Sequence, residues 1–283
     1  MARYTALAVF FSLLWSSAFA VVKIGLRDAP PLFLMSSRFV VAGVALLAFA
    51  ILRGRRLPAA REWPLIVLLG VLNYSLYLGL TAMGLRHLSA GMAAVLASLN
   101  PLLLAIVAPW ALGERLTPTK VVGLLTGFVS VTWVMWSRLG DDNRPNGIAL
   151  VVAAIVCLVA ATLVFKRSDT RRDLVVFNGG QLLTAGILLL VPSLAWEPLA
   201  DLHVTPTFVV AWIYLIVAVS WAGMWIWFWL LSHGDATRAS AYFFLNPVLG
   251  LFIGALVLGE PLGATDFIGT VAVAVGIYLV QRG

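Results

Sequence analysis

Apolar segments, each about as long as a bilayer is thick, follow one another along almost the whole chain. Hydrophobic residues make up 62% of the 283 positions and charged residues only 11%. A helix needs about 20 apolar residues to cross the ~30 Å hydrocarbon core of a membrane, so this pattern predicts an all-α integral membrane protein with ten transmembrane helices. The predicted helices are 4–22, 32–52, 64–85, 90–112, 119–137, 146–165, 174–194, 207–231, 236–258 and 263–281.

A short motif occurs twice. Leu-Asn-Pro-Leu at 99–102, with Gly-Glu at 113–114, recurs 146 residues later as Leu-Asn-Pro-Val at 245–248, with Gly-Glu at 259–260. Near the start of each half an offset of 143 pairs Lys23 with Lys166 and Arg38 with Gln181. The repeat unit is five helices, and because five is odd the two halves should be inverted about an axis in the membrane plane. We predict a first repeat at 1–140, a linker at 141–147 and a second repeat at 148–283.

Basic residues are unequally divided between the two sides of this topology. The side with both termini carries 13 Lys and Arg, the other side carries 5, and Arg38 lies within a helix. By the positive-inside rule both termini are cytoplasmic, which we expect in the inner membrane of a bacterium. The net charge of +7 therefore indicates contact with membrane lipid and not with nucleic acid.

Acidic residues are confined to predicted loops and helix ends. With no carboxylate at mid-membrane, a simple Asp/Glu proton relay is not expected, and facilitated diffusion down a gradient is favoured. The three histidines and the single cysteine, Cys157, form no cluster with the spacing of metal ligands. The sequence thus predicts no catalytic residues, no metal and no cofactor.

Several motifs carry a family resemblance. They are Leu14-Trp15-Ser16-Ser17-Ala18-Phe19 with Lys23, Pro30-Pro31, Ser37-Arg38-Phe39 and both Asn-Pro…Gly-Glu elements. Together they resemble the EamA type of the drug/metabolite transporter superfamily over nearly the whole chain. Within it the chain is most similar to bacterial exporters of aromatic amino acids. The resemblance implies ten helices in a basket around a central cavity, and export of aromatic amino acids and related metabolites.

Polar and aromatic residues inside the predicted helices are the candidates for lining such a cavity. Each could instead bond neighbouring helices, because side-chain hydrogen bonds commonly join membrane helices. Together they describe an aromatic, weakly polar cavity, which suits an amphiphilic zwitterion better than a phosphate. The candidates are Trp15, Ser16, Arg38, Asn73, Tyr77, Ser98, Asn100, Asn178, Gln181, Trp221, Trp225, Tyr242 and Asn246.

Arg38, about two turns into helix 2, has two interpretations. It could face the cavity and attract a substrate carboxylate, or it could snorkel to the interface or pair with Asp28. Helix 8 also has two interpretations. Its residues Trp221, Trp225 and Phe228 share one face and could form an aromatic wall, or they could face lipid. Trp212, Trp227 and Trp229 are expected in the interfacial belt.

Pro101 and Pro247 lie near the middle of predicted helices 4 and 9. A proline lacks the backbone donor and pushes away the carbonyl four residues earlier, so each helix should bend there. The bend could be a fixed kink or a hinge. Glu114 and Glu260, near the ends of the same helices, are expected to anchor those ends or to cap the following helix.

These features favour an exporter of aromatic or other amphiphilic amino acids that works by alternating access with a small-molecule substrate. A sugar-phosphate or nucleotide-sugar antiporter and a broad-range drug exporter of the same superfamily are the alternatives. A non-transporting scaffold would need an output domain that the predicted short loops do not supply. The sequence leaves the oligomeric state open, and a monomer is the working expectation.

Overall fold

Helices account for the regular structure of the chain in a computed structural model that describes residues 2–88, 90–136, 143–168, 173–258 and 263–283. Nine helices within these ranges are long and apolar enough to cross a membrane. The protein is therefore a multi-pass membrane protein. The segment 236–258 is also helical but changes its helix type on the way, so the tenth predicted crossing stays a prediction.

The helical segments, labelled in chain order, begin and end within about three residues of the predicted positions. The bounds are α1 Ala2–Gly25, α2 Pro31–Leu52, α3 63–85, α4 90–112, α5 Pro118–Met135, α6 Pro145–Arg167, α7 Leu174–Trp196, α8 206–233, α9 236–258 and α10 Ala264–Arg282. Short 3-10 turns at Ala60–Glu62 and Leu199–Asp201 precede α3 and α8.

Side-chain caps define where several helices begin. The Thr117 hydroxyl accepts from the backbone N–H of Lys120 at α5, and Thr205 does the same for Phe208 at α8. Asp173 accepts from the N–H of Val175 at α7. These oxygens satisfy N–H groups that have no partner within the helix, and proline follows Thr117 and Thr205 at the first helical position, where its missing N–H costs nothing.

Four helices are irregular, two in each half. A π-helical stretch interrupts α3 at Val71–Leu78 and α8 at Leu215–Gly223. A break at Ser98 divides α4, and a 3-10 stretch at Tyr242–Phe244 divides α9. The irregularities therefore occur in the third and fourth helix of each predicted repeat.

Glycines bring helices of the two halves into backbone contact. On α2, a Cβ added at Gly43 would lie 2.5 Å from the Leu183 nitrogen of α7, and one added at Gly186 of α7 would lie 2.6 Å from the Val40 nitrogen of α2. Gly123 of α5 makes the same kind of approach to the carbonyl of Gly276 on α10, at 2.7 Å. The paired helices are the second and the fifth of each repeat.

A second contact also recurs in both halves. The Lys23 ammonium, near the end of α1, donates to the Leu88 carbonyl just beyond α3 at 3.0 Å. Its repeat equivalent Lys166, at the end of α6, donates to the carbonyls of Leu231 and Gly234 at the end of α8, at 3.0 and 2.8 Å. A cation at the carbonyl end of a helix is favoured by the helix dipole.

The two termini lie at the same end of the bundle, which we call the terminal face. There the Tyr4 hydroxyl donates to Leu230 O, and the Gln281 amide donates to Arg238 O at 2.9 Å. At the opposite face Thr205 donates to the Asp28 carboxylate at 2.7 Å. The side predicted to be rich in Lys and Arg is therefore the terminal face, and the side predicted to have fewer is the opposite face.

Substitution of Gly43 by alanine should destabilise the protein, because its new methyl group would meet backbone atoms of α7, which cannot move aside. We expect a loss of about 1–3 kcal/mol, seen as a lower melting temperature of the detergent-purified protein. Gly250→Ala is the control, since the nearest atom to its added Cβ is 3.6 Å away. Equal melting temperatures of the two variants would contradict the close α2–α7 contact.

Candidate functional site

A small cavity lies between α1, α2 and α3, with one residue of α8 in its wall. Its volume is about 30 Å³, which is room for a few water molecules. An amino acid does not fit, so the lining helices would have to separate to admit one. The lining residues are Trp15, Ala18, Phe19, Val22, Met35, Arg38, Tyr77, Leu78, Thr81, Ala82, Leu85 and Val219.

Arg38 carries the one formal charge in this wall. Its side chain is 1% exposed, so it does not snorkel to the interface. It does not pair with Asp28, whose carboxylate accepts a hydrogen bond from the Thr205 hydroxyl. Among the described residues the Arg38 Nε and Nη1 have no hydrogen-bond partner, and the guanidinium lies 4.6 Å from the centre of the Phe39 ring. Such a charge costs several kcal/mol to bury.

Trp15 and Tyr77 form an aromatic pair in the cavity wall. Their rings are parallel within 2° and their centroids are 6.3 Å apart, and the Trp15 indole N–H donates to the Tyr77 hydroxyl at 3.2 Å. Both side chains are 4% exposed. The pair joins α1 to α3 at mid-bundle through stacking and a hydrogen bond together.

An aromatic cluster shares Trp15 with this pair and extends from it toward the terminal face. It consists of Phe11, Trp15, Trp227 and Phe243, from α1, α8 and α9. Phe11 stacks on Trp227 at 5.4 Å, and Trp227 meets Phe243 edge-on at the same distance. All four are nearly inaccessible. The aromatic cluster therefore separates the cavity from the terminal face.

Five of the sequence candidates bond neighbouring backbone or helices and lie outside the cavity wall. The donor–acceptor pairs are Asn73 amide to Gln181 side-chain carbonyl at 3.1 Å, Asn178 amide to Ser220 O at 2.8 Å, Ser16 hydroxyl to Asn246 O, and Ser98 hydroxyl to Ala94 O at 3.0 Å. Asn178 also accepts from the Tyr74 hydroxyl. These bonds tie α3 and α8 to α7, and α1 to α9.

Tyr242 lies away from the cavity, near the terminal face. Its hydroxyl is 3.5 Å from that of Thr5, and its backbone carbonyl accepts from Ser12 at 2.9 Å. It therefore joins α9 to α1.

The two Asn-Pro elements coincide with the interruptions of α4 and α9. Pro101 and Pro247 have no N–H for the carbonyls of Ala97 and Phe243, four residues earlier, and each helix changes at those residues. The side-chain amides of Asn100 and Asn246 are buried, and within the described ranges neither has a hydrogen-bond partner. The two equivalent elements thus share an irregular backbone and an unsatisfied amide.

The aromatic face of α8 differs from the predicted one. Trp225 is 38% exposed, on the outside of the bundle, and Trp221 donates to the Ala42 carbonyl of α2 at 3.1 Å. Trp227, expected in the interfacial belt, is buried in the aromatic cluster at 2% exposed. The reason is the π-helical stretch at Leu215–Gly223, because its wider turns shift every later residue around the helix axis.

Several cavity and cluster residues were missed in the sequence. Phe11, Ala18 and Val22 follow the spacing i−4, i+3 and i+7 from Trp15, which places them on one helical face, so this pattern could have identified them. Met35 lies three residues before Arg38 on α2 and could have been found in the same way. No comparable signal marks Phe243, which reaches the aromatic cluster through the irregular part of α9.

Glu114 caps a helix of the other half and not the helix that follows it. Its carboxylate accepts from the backbone N–H of Ala236 at 2.6 Å and of Thr237 at 3.1 Å, and from the Thr237 hydroxyl at 2.8 Å. α5 is capped by Thr117 instead. The equivalent Gly259-Glu260 lies outside the described residues.

The described part of the chain holds no group of three or more His, Cys, Asp or Glu side chains that could bind a metal ion. The chemistry available at the cavity is that of one guanidinium, a few hydroxyls and aromatic rings. Such a set can bind and orient a small solute.

Comparison with known proteins indicates a transporter. The model of a family described as the EamA-like transporter family matches residues 3–136 and again 145–282. The chain is 26% identical to "Uncharacterized transporter YvbV" of Bacillus subtilis, over 99% of this chain and 92% of that protein. It is 25% identical to "Uncharacterized inner membrane transporter YedA" of Escherichia coli K12, over 96% and 88%.

A solved crystal structure shares the fold. It superimposes with a TM-score of 0.84 at 21% identity, and the match covers 99% of this chain and 98% of the other.

Removal of the Glu114 carboxylate should destabilise the start of α9. Glu114→Ala leaves two N–H groups of α9 without their acceptor, and we expect a loss of about 1–3 kcal/mol, measured as a lower melting temperature in detergent. Glu62→Ala, at an exposed cap within its own loop, is the control and should lose less. A Glu114→Ala protein as stable as the wild type would show that the cap contributes nothing.

Proposed function

The chain belongs to the EamA-like transporter family, and we propose that it exports aromatic or other amphiphilic amino acids and related metabolites across the bacterial inner membrane by alternating access. It is a transporter and not an enzyme. Its substrate class and its direction of transport are the proposed part.

The composition of the cavity wall carries this proposal. The wall combines aromatic and aliphatic side chains with the hydroxyls of Tyr77 and Thr81 and the guanidinium of Arg38. Apolar walls with a few polar groups are typical of sites for small amphiphilic molecules. A phosphate would require several Lys or Arg. Among the described residues of the cavity wall, Arg38 is the single basic residue.

The way in which the cavity is closed supports the proposed mechanism. The aromatic cluster separates it from the terminal face, which by the positive-inside rule is cytoplasmic. Access from that side requires α1, α8 and α9 to separate, since these helices supply the cluster. The interrupted backbone next to Pro101 and Pro247 offers a place where α4 and α9 can bend, so we propose these two prolines as the hinges.

The substrate class can be tested by uptake into proteoliposomes of purified protein. We expect aromatic amino acids to equilibrate faster than in protein-free liposomes, because the cavity offers aromatic walls, and we expect the same rate with and without a proton gradient. A hexose phosphate should not enter. Exchange of the sugar phosphate with no flux of any amino acid would favour the antiporter, whereas uptake of unrelated apolar cations would favour the drug exporter.

The proposed movement of α9 can be tested by a crosslink to α1. A Cβ at Gly250 would lie 3.6 Å from the Ser16 hydroxyl oxygen, which suits a disulfide. In a Cys157→Ala background, we expect oxidised Ser16→Cys/Gly250→Cys protein to lose transport and to regain it after reduction, because the bond holds the segment beyond Pro247 against α1.

A matched control crosslinks α2 to α7, where we expect no movement. A Cβ at Gly179 would lie 3.1 Å from the Leu46 Cβ, a few tenths of an ångström closer than in an ordinary disulfide, so the Leu46→Cys/Gly179→Cys pair should oxidise after a small adjustment of the two helices and still transport. Wild-type transport by the oxidised α1–α9 pair would rule out a moving α9.

A further inference from the structure

Arg38 creates a charge imbalance in the cavity. Its side chain is buried, two of its nitrogens have no partner among the described residues, and the cavity wall contains no carboxylate. The Phe39 ring at 4.6 Å attracts the guanidinium but cannot neutralise it. A buried cation of this kind is most favourable when an anion lies beside it.

The two acids at the start of α2 bind other groups. The Asp28 carboxylate accepts from Thr205, and the Glu197 carboxylate accepts from the backbone N–H groups of Leu32 and Phe33 at the start of α2. Tyr74, which is also near Arg38, donates its hydroxyl to Asn178. The missing negative charge is therefore not supplied by these parts of the protein.

Among the described residues, the equivalent position in the second half carries no such charge. The repeat equivalent of Arg38 is Gln181, a neutral residue that accepts from Asn73. The equivalent of Val22 is Phe165, whose ring stacks on Phe228 at 4.9 Å, so aromatic packing fills this part of the second half. The unpartnered cation and the cavity thus occur together, on the side of the opposite face.

We infer that the cavity prefers organic monoanions, namely aromatic or amphiphilic acids that carry one negative charge and no ammonium group. This inference rests on the transport proposed above and ranks solutes within it. Once the lining helices have separated to admit a solute, a monoanion beside Arg38 leaves the cavity neutral, whereas a zwitterion leaves one net positive charge and a cation leaves two. The wall offers an ammonium group no carboxylate, and the rings of Trp15 and Tyr77 already face each other.

Three solutes that share a phenylethyl group and differ in charge test this ranking. Counterflow of 3-phenylpropanoate, L-phenylalanine and 2-phenylethylammonium is measured in proteoliposomes, with leakage into protein-free liposomes subtracted. For the wild type we expect 3-phenylpropanoate to exceed L-phenylalanine by about tenfold, a ratio equivalent to about 1.4 kcal/mol, and the cation to be slowest.

Substitutions assign the preference to the guanidinium. Arg38→Gln should bring the rates for the anion and the zwitterion within about twofold, while Arg38→Lys, which keeps the charge but not the planar donor fork, should retain part of the preference. Arg27→Gln removes a positive charge from an exposed position at the same face and should leave the ranking unchanged.

Each result decides between the proposals. Faster transport of L-phenylalanine than of 3-phenylpropanoate by the wild type would overturn the inference and leave the proposed function intact. An equal decrease for all three solutes in Arg38→Gln would show that Arg38 is structural, and would also overturn it. No transport of any of the three by folded wild-type protein would overturn the proposed function and the inference together.

Discussion

Close backbone contact at glycines joins α2 to α7 and α5 to α10, and so connects the two predicted repeats. In a bilayer, helices gain no hydrophobic energy from each other, so association depends on close packing and on hydrogen bonds. Gly43 and Gly186 allow α2 and α7 to approach until backbone atoms touch, and Gly123 and Gly276 do the same for α5 and α10. The remaining helices, which supply the cavity and the aromatic cluster, lie around these two pairs.

The positions of the helices could be predicted because long apolar runs and prolines at helix starts are local signals. Pro31, Pro118 and Pro206 each stand at the first position of a helix. The aromatic face of α8 could not be predicted, because regular spacing was assumed through Leu215–Gly223, where the helix is π-helical. Regular spacing allowed Trp225 to face either a cavity or lipid and put Trp227 in the interfacial belt, whereas Trp225 lies on the outside and Trp227 is buried.

Part of the candidate site could also be predicted from the sequence. Trp15, Arg38 and Tyr77 line the cavity and were candidates because polar or aromatic residues are conspicuous within apolar helices. Interactions between distant parts of the chain gave no such signal. The cap that Glu114 provides for α9 joins residues 122 apart, and the engagement of Asp28 by Thr205 joins residues 177 apart. A sequence pattern cannot distinguish these partners from nearer ones.

The differences between the halves matter as much as their similarity. Lys23 and Lys166 make equivalent contacts at helix ends, so the framework is shared. Arg38 and Gln181 are not equivalent in charge, and Val22 and Phe165 are not equivalent in size. Selection on a transporter with two similar halves can therefore preserve the framework in both while one half alone acquires the charge of the cavity.

The glycine contacts also have a consequence for how substitutions act. Each pairs a helix with its predicted repeat counterpart, α2 with α7 and α5 with α10, which is the pattern of an isologous interface in a twofold-symmetric homodimer. In such a pattern the two equivalent glycines of a pair support one contact, so a side chain added at either Gly43 or Gly186 presses on the same pair of backbones.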